Sequence, residues 1–210
     1  GYGPTHSQSL ERLFVSQPGT RVLALHHRQS PASIYRALFD AADRPTLVVE
    51  NKLLYGAHAE PEPPAGFTLL RTDEAFPVSR LKPEGKADVT LVAFGGMSIE
   101  AERAVRLLFD EHEVLADLFL PTRIYPMDAE FLRESLTQTR RLVVAEEGQG
   151  FAGLGSEVLA QVAEMRGTGE IACGRVTAAP CPIPSARPLD EQCLPNAEAI
   201  VARVLEVMHG

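Results

Sequence analysis

The alternation of apolar runs with amphipathic segments gives the first 56 residues one recognisable unit. Residues 21–25 and 46–50 are apolar runs of strand length, and Ser30-Pro31 between them is typical of a helix start, with serine as N-cap and proline at the first helical position. The pattern predicts a helix to about residue 42. A strand, a helix and a second strand in this order predict a βαβ unit with parallel strands and a right-handed crossover.

The pattern becomes regular from Val89 onward. Four apolar runs alternate with amphipathic segments, and Ser98, Asp128 and Asn196 are residues of the type that caps a helix. The alternation predicts a parallel α/β domain over residues 89–210, with helices covering both faces of its sheet. The predicted strands are residues 89–94, 114–120, 141–146 and 173–178, and the predicted helices are residues 98–111, 128–138, 154–166 and 196–208.

Residues 57–88 separate these two units and are predicted to be a linker. The proline-rich stretch 61–66 cannot sustain a helix or a central strand, and residues 67–70 are expected to lie extended along the surface between domains. Residues 1–56 alone cannot cover both faces of a sheet and are marginal as an independent domain. We therefore expect their missing strands to come from residues upstream of Gly1 or from another chain.

The composition is that of a globular protein, and the charge argues against two classes of binding partner. Hydrophobic residues make up 45% of the 210 residues, and the net charge is −8 with lysine and arginine scattered along the chain. This balance argues against binding to nucleic acid or to an anionic membrane. The sequence shows no apolar run of membrane-spanning length and no secretory signal, so a cytoplasmic protein is expected. An odd number of cysteines without a C-x-x-C pair indicates neither a disulfide framework nor a zinc site; they are Cys173, Cys181 and Cys193.

Three other patterns are more simply structural than functional. Residues 148–153 match G-x-G-x-x-G between a strand and a helix, but Glu146 and Glu147 at the mouth of that turn would repel a diphosphate, and no carboxylate ends the next strand to hold a ribose. His26 and His27 are neighbours on a strand and point to opposite faces, which leaves one metal ligand at most. Four carboxylates are most simply a solvated helix face: Glu100, Glu102, Glu111 and Glu113.

The segment Gly3-Pro4-Thr5-His6-Ser7-Gln8-Ser9 carries the strongest candidate chemistry. Proline fixes one backbone angle and glycine permits unusual ones, so the segment can hold the imidazole of His6 in a loop at a defined angle. Histidine has the one unperturbed pKa near neutrality, which suits it to proton transfer. A loop histidine by itself is more often only a solvated residue, so the motif around His6 decides its interpretation.

That motif is similar to the active-site loops of two related enzyme classes. Gly3-Pro4-Thr5-His6 resembles the loop of transketolases, and residues 6–11 resemble the corresponding loop in beta subunits of the decarboxylating component of 2-oxo acid dehydrogenases. Both classes use thiamine diphosphate. The resemblance covers essentially the whole chain in family order and continues through Gln17-Pro18-Gly19, Glu50-Asn51-Lys52-Leu53-Leu54-Tyr55-Gly56, Asp88-Val89-Thr90-Leu91-Val92-Ala93, Glu146-Glu147-Gly148, Pro182-Ile183-Pro184 and Leu194-Pro195.

The resemblance implies a fold and a cofactor. The fold is α/β, with the C-terminal portion of a thiamine-diphosphate-type pyrimidine-binding domain in residues 1–56, followed by a parallel-sheet transketolase C-terminal-like domain in residues 89–210. The cofactors implied are thiamine diphosphate and Mg²⁺. His6 would be the catalytic residue beside the thiazolium, and the glutamate that activates the aminopyrimidine would lie upstream of residue 1.

The resemblance also implies a structural monovalent cation. Beta subunits of this kind often hold K⁺ with backbone carbonyls and an aspartate at the turn before the second strand. The matching stretch, residues 38–45, is one residue longer here, and Arg44 stands where a small neutral residue is usual. The K⁺ ligands predicted on this pattern are Leu38, Phe39 and Asp43.

The implied protein is a beta-type subunit that is active only with a partner. An alpha-type subunit, or an upstream domain, would hold the diphosphate and Mg²⁺, and the subunits would self-associate into a heterotetramer. The enzyme would decarboxylate a 2-oxo acid, or cleave a ketose, and transfer the acyl or ketol unit to a carrier such as a lipoyl domain or carrier protein. The alternatives are the C-terminal half of a split transketolase and a non-catalytic assembly subunit.

Overall fold

A computed structural model describes residues 3–59 and 62–210, which form two β-sheets with helices on their faces. The strands are β1 (Arg21–Ala24), β2 (Thr46–Val49), β3 (Phe67–Arg71), β4 (Val78–Pro83), β5 (Val89–Ala93), β6 (Ala116–Pro121), β7 (Arg123–Tyr125), β8 (Arg141–Gln149) and β9 (Ala172–Ala178). The helices are α1 (Pro31–Asp40), α2 (Met97–His112), α3 (Arg133–Thr139), α4 (Leu154–Glu164), α5 (Arg187–Cys193) and α6 (Ala197–His209), with short 3₁₀ helices at Glu11–Leu13, Lys52–Gly56 and Ala129–Leu132.

The smaller sheet contains the predicted βαβ unit. β1 and β2 pair in parallel, α1 connects them, and Pro31 is its first residue, as the sequence predicts. A third strand, β7, pairs antiparallel with the other side of β1, giving the order β2-β1-β7. The expectation that every missing strand lies upstream or in another chain is therefore wrong for this neighbour of β1. The sequence did not reveal β7 because it is three residues long and directly follows β6.

The larger sheet has the order β3-β4-β6-β5-β8-β9. Its last four strands are those predicted, and they pair in parallel. The interval 57–88 differs from the predicted linker, because β3 and β4 form an antiparallel pair and β4 continues the sheet beside β6. Phe67 and Leu81 are buried in the core of this sheet, so their burial holds the segment against the domain.

Helices cover both faces of the larger sheet. β5 shows this through its alternating side chains, because Leu91 packs in the cluster formed by α2 and α6, whereas Val92 packs in the cluster formed by α3 and α4. α6 buries Ile200, Val201 and Val204 at helical spacing. Within residues 3–59 and 62–210, no helix is long and apolar enough to cross a membrane.

Two of the four predicted helix caps form their side-chain hydrogen bond. The side chains of Asp128 and Asn196 accept hydrogen bonds from the backbone N–H groups of Glu130 and Ala199. Ser30 stands at the N-cap position of α1 without a capping side-chain hydrogen bond. Ser98 lies inside the first turn of α2, which begins at Met97, and its hydroxyl is buried against His27 in the turn after β1. Its side chain therefore joins two parts of the chain and does not cap a helix.

The smaller sheet is packed on the larger one. Val22 and Ala24 of β1 belong to the same apolar cluster as Val92 and Leu132. The backbone N–H of Ala24 donates to the carbonyl of Thr122 at 2.8 Å, so main-chain bonding crosses the junction as well. The first part of the chain is therefore stabilised by contacts that the rest of the chain supplies.

A peptide of residues 1–56 is expected to show no cooperative thermal unfolding, because it lacks β7 and the apolar partners of Val22 and Ala24. Residues 62–210 keep the whole larger sheet and are expected to unfold cooperatively. Circular dichroism during heating measures both transitions. A sigmoidal transition in the short peptide would contradict the dependence of the smaller sheet on the rest of the chain.

Candidate functional site

The predicted catalytic segment forms a tight turn ahead of β1. Gly3 adopts a φ of +73°, and its carbonyl accepts hydrogen bonds from the backbone N–H groups of His6 and Ser7, at 3.3 and 3.1 Å. Gln8 closes the same turn by donating from Nε2 to the carbonyl of Pro4 at 2.6 Å. The imidazole of His6 is exposed at the top of this turn. The backbone is thus held while the side chain stays free to meet a ligand.

A half-buried carboxylate connects this turn to both sheets. Glu147, near the end of β8, accepts a hydrogen bond from Ser9 Oγ on one oxygen and from Asn51 Nδ2 on the other, both at 2.9 Å. Ser9 follows the His6 turn, and Asn51 follows β2. The segments in which the sequence resembles the thiamine-diphosphate enzymes therefore converge on one carboxylate at the ends of parallel strands, where α/β sheets place their ligands.

Three carboxyl groups near this junction have raised pKa values. Burial is the main cause for Glu11 and Glu147, whose pKa values are raised although Ser9 and Asn51 hydrogen-bond to Glu147 and so lower its pKa. Burial also raises the pKa of Glu146 to about 6, against hydrogen bonds from backbone N–H groups that lower it. Perturbed carboxyl groups of this kind cluster at functional sites. Only the pair Glu146-Glu147 is visible in the sequence, because Glu11 approaches Glu147 only in the folded chain.

The glycine-rich turn that follows β8 is closed by Glu146. The carboxylate of Glu146 accepts hydrogen bonds from the N–H groups of Leu154 at 2.8 Å and Gly155 at 3.1 Å, at the first residues of α4. A Cβ at Gly153 would approach both carboxylate oxygens to 2.5 Å, which explains the glycine. The N-terminus of α4 thus already holds a carboxylate where a dinucleotide would place its phosphates, in agreement with the structural interpretation of this motif.

We expect the carboxyl group of Glu146 to titrate near pH 6 in ¹³C NMR spectra, and this signal to disappear in Glu146→Gln. Its folded pKa lies above the ordinary 4.5, so its contribution to stability is fully present below about pH 4.5 and is lost as the pH rises through about 6. Glu157→Gln, in the first turn of α4, is the matched control. A titration of Glu146 at its ordinary pKa would contradict the conclusion that burial raises the pKa of this carboxyl group.

His26 and His27 lie in the turn region after β1 and not on a strand as expected, because β1 ends at Ala24. His27 contacts Ser98 Oγ through Nδ1 at 2.8 Å and Glu102 through Nε2 at 2.7 Å. His26 is buried, and burial lowers its pKa to about 3. Glu102 was expected on a solvated helix face, and this expectation is wrong, because its side chain is buried against His27 and Arg28 at the junction of the sheets. The sequence could not show this, because the partners of Glu102 are more than seventy residues away in the chain.

The residues predicted to bind K⁺ lie at the end of α1. There the carboxylate of Asp43 is paired with arginine side chains of the same chain. Asp43 accepts hydrogen bonds from Arg21 Nη2 at 2.7 Å and from Arg44 Nε at 2.9 Å. Arg21 also donates to the carbonyl of Ala41, and Phe39 is 82% exposed. Two guanidinium groups thus already neutralise this carboxylate. The residues therefore do not fit a K⁺ site in this arrangement.

The residues around His6 fit one part of a thiamine diphosphate site. An exposed imidazole in a fixed turn can meet the reacting end of a cofactor. A diphosphate needs cationic donors, whereas Glu11 and Glu147 make this junction acidic and Arg12 donates to the carbonyl of Phe151. Among residues 3–59 and 62–210, no group of three or more His, Cys, Asp or Glu side chains is arranged to hold a metal ion. The diphosphate therefore does not fit beside these two carboxyl groups.

Comparisons with known proteins identify a family and several similar proteins. Residues 79–200 match the family of the transketolase C-terminal domain. The chain is 31% identical over 208 residues to the pyruvate dehydrogenase E1 component subunit beta, mitochondrial, of Caenorhabditis elegans, covering 97% of this chain and 57% of that protein. It is 30% identical over 206 residues to the acetoin:2,6-dichlorophenolindophenol oxidoreductase subunit beta of Bacillus subtilis, with coverage of 97% and 57%.

The fold is similar to that of a solved structure as well. A split gene transketolase, solved as an inactive beta4 tetramer, superposes with a TM-score of 0.64 at 25% identity, covering 94% of this chain and 60% of that one. The chain spans little more than half the length of the curated relatives described above. Because the family match alone takes in more than half of its residues, the chain belongs to the transketolase C-terminal domain family.

Proposed function

We propose that the chain is part of a beta-type subunit of a thiamine-diphosphate-dependent enzyme of the 2-oxo acid dehydrogenase type. The enzyme decarboxylates a 2-oxo acid and transfers the acyl unit to a carrier, such as a lipoyl domain or carrier protein. The observation that carries the proposal is the convergence of the His6 turn, Asn51 and β8 on the carboxylate of Glu147. Relatives that span nearly the whole chain are named as beta subunits of enzymes of this class, which supports the same assignment.

His6 is the residue of this chain that acts on the substrate. Thiamine diphosphate, when bound, supplies the stabilisation of negative charge that decarboxylation of a 2-oxo acid requires. The imidazole of His6, held in its turn beside the reacting carbon, gives or takes the proton of the substrate-derived oxygen. Glu147 is a positioning residue, because it fixes Ser9 directly after the turn and Asn51 on the opposite side.

An alpha-type subunit completes the site. It supplies the diphosphate and Mg²⁺ ligands, and the assembly is a heterotetramer. Large apolar side chains support this role for the first part of the chain, because Phe39, Leu53 and Tyr55 are 82%, 83% and 71% exposed. Leu53 and Tyr55 lie two positions apart in the 3₁₀ helix Lys52–Gly56, and exposed apolar patches mark protein contacts. The cytoplasmic location stays a prediction, since several relatives are named as mitochondrial proteins.

A ketose is the second candidate substrate, and two observations favour it. The turn reads Gly3-Pro4-Thr5-His6, which resembles that of transketolases, and the superposed structure is a split gene transketolase. In this case the same residues serve the transfer of a ketol unit. The chemistry at His6 is unchanged, because both reactions move a proton at the substrate-derived oxygen.

Two assays with the complete beta-type subunit and its alpha-type partner test the proposal. With thiamine diphosphate and Mg²⁺ present, we expect release of CO₂ from a 2-oxo acid, measured with an artificial electron acceptor. Transfer of a ketol unit from a ketose, without release of CO₂, would establish the second candidate. An assembled complex that binds the cofactor and catalyses neither reaction would contradict both and leave a non-catalytic assembly role.

A further inference from the structure

Two cysteines that lie twelve positions apart in the sequence meet in the folded chain. The sulfur atoms of Cys181 and Cys193 are 3.5 Å apart, and both side chains are half-buried. The third cysteine, Cys173, is exposed on β9. The sequence spacing gave no sign of a pair, because α5 and the turn before it bring the two residues together.

The backbone holds the two thiols side by side. The N–H of Ala179 donates to the carbonyl of Cys193 at 2.9 Å, and the N–H of Cys181 donates to the carbonyl of Ala179 at 2.8 Å. The bonded sulfur atoms of a disulfide are about 2.05 Å apart, so the two sulfurs need to approach by only about 1.5 Å. Rotation of the two side chains can supply most of this movement.

The segment between the two cysteines lies against the candidate active site. A Cβ on Gly3 would overlap Ser185 Oγ, so residues 181–193 pack directly on the first residue of the His6 turn. The side chain of Gln149 donates to the carbonyl of Cys181 at 3.3 Å, which connects the same segment to the end of β8. A covalent bond across this segment therefore acts on residues that position His6.

We propose that Cys181 and Cys193 are a modification site, at which a hydroperoxide forms a disulfide that fixes residues 181–193 against the His6 turn. This inference rests on the sulfur positions and on the packing of residues 181–193 against Gly3 and Gln149, and it does not depend on the proposed function. The hydrogen bond with Cys181 raises the pKa of the Cys193 thiol.

The chemistry takes two steps. The thiolate sulfur of Cys181 attacks one peroxide oxygen, the O–O bond breaks, and hydroxide leaves, which gives a sulfenic acid. The Cys193 thiol then loses its proton, its sulfur attacks the sulfur of Cys181, and the S–O bond breaks as the S–S bond forms. The departing hydroxide takes up a proton as water. Overall, two thiols are oxidised to a disulfide and hydrogen peroxide is reduced to two molecules of water.

Mass spectrometry of the 210-residue chain after treatment with equimolar hydrogen peroxide tests the bond. We expect the free thiols to fall from three to one, with loss of two hydrogen atoms and a crosslinked peptide that contains Cys181 and Cys193. The matched control Cys173→Ser keeps this crosslink, whereas Cys181→Ser and Cys193→Ser abolish it. The absence of a crosslink in the wild-type chain, or a crosslink through Cys173, would overturn the proposal.

Hydrogen exchange tests the effect on the site. Oxidation is expected to slow amide exchange in residues 181–193 by roughly tenfold or more, and also to slow it in residues 3–9, because the disulfide suppresses local opening. Dithiothreitol should reverse both changes. A disulfide that forms while exchange in residues 3–9 stays unchanged would overturn its proposed action on the His6 turn.

Discussion

Replacement of His6 by alanine is expected to lower the turnover of the assembled enzyme by about 10²-fold, the usual scale for a proton-transfer residue. The imidazole is exposed in a turn that is fixed by backbone hydrogen bonds to Gly3, so its loss removes the proton-transfer group and leaves the turn in place. Steady-state kinetics with the alpha-type partner, thiamine diphosphate and Mg²⁺ measure the change. The affinity for the cofactor should change little, because its diphosphate is held elsewhere.

The matched control is His112→Ala, an exposed histidine at the end of α2, far from the turn in the sequence. It should leave turnover at the wild-type value. A His6→Ala enzyme with wild-type turnover would remove the catalytic assignment. A loss of turnover that comes with an equal loss of cofactor binding would show instead that His6 holds the cofactor.

Replacement of Glu102 by alanine is expected to destabilise the chain by about 3–5 kcal/mol, the cost of breaking a buried ion pair. Glu102 binds the fully buried guanidinium of Arg28 through both oxygens, at 2.6 Å each, and also contacts His27. Its removal leaves buried positive charge without this counter-charge at the junction of the two sheets. Urea unfolding followed by circular dichroism measures the change in the free energy of unfolding.

Arg106→Ala is the control for this prediction, because Arg106 contacts the same carboxylate at 2.7 Å from the solvent-exposed side. It should cost about 0–1 kcal/mol, as is usual for exposed ion pairs. Equal losses of unfolding free energy in Glu102→Ala and Arg106→Ala would contradict the conclusion that the buried contacts of Glu102 contribute more than its exposed one.

The same carboxylate predicts how stability depends on pH. Burial alone would raise the pKa of Glu102, but the hydrogen bonds from His27 and Arg28 lower it to about 2. A folded pKa below the ordinary 4.5 means that the contribution to stability is present above about pH 4.5 and is lost as the pH falls toward 2. We expect Glu102→Ala to lack this part of the acid dependence in urea unfolding measured at several pH values. The wild-type acid dependence in the variant would contradict the lowered pKa.

Much of the fold follows from the sequence because it depends on local periodicity. The parallel strands, the cap at Asn196 and the proline start of α1 are all visible as short-range patterns. The extended conformation of residues 67–70 was expected, but their pairing with β4 was not. β4 and β7 were not predicted, because a proline-rich flank or a length of three residues hides them, and each pairs with a strand distant in the chain.

The same distinction applies to the candidate site, where local features are visible in the sequence and contacts between distant residues are not. The sequence identifies the His6 turn because glycine, proline and histidine determine its shape and chemistry together. It does not show that Glu102 is buried, that Glu11 approaches Glu147, or that two thiols meet, because each of these contacts joins residues brought together by the fold. Side chains of one chemical type look alike in a sequence whether they are solvated or buried.

We propose that this chain holds the His6 side of a thiamine diphosphate site and depends on an alpha-type partner for the rest. Isothermal titration calorimetry of thiamine diphosphate with Mg²⁺ tests it most directly, first on the 210-residue chain and then on the complete beta-type subunit with its partner. We predict no saturable binding by the chain alone and one cofactor for each beta-type subunit in the complex. Tight stoichiometric binding by the isolated chain as a monomer would contradict the account.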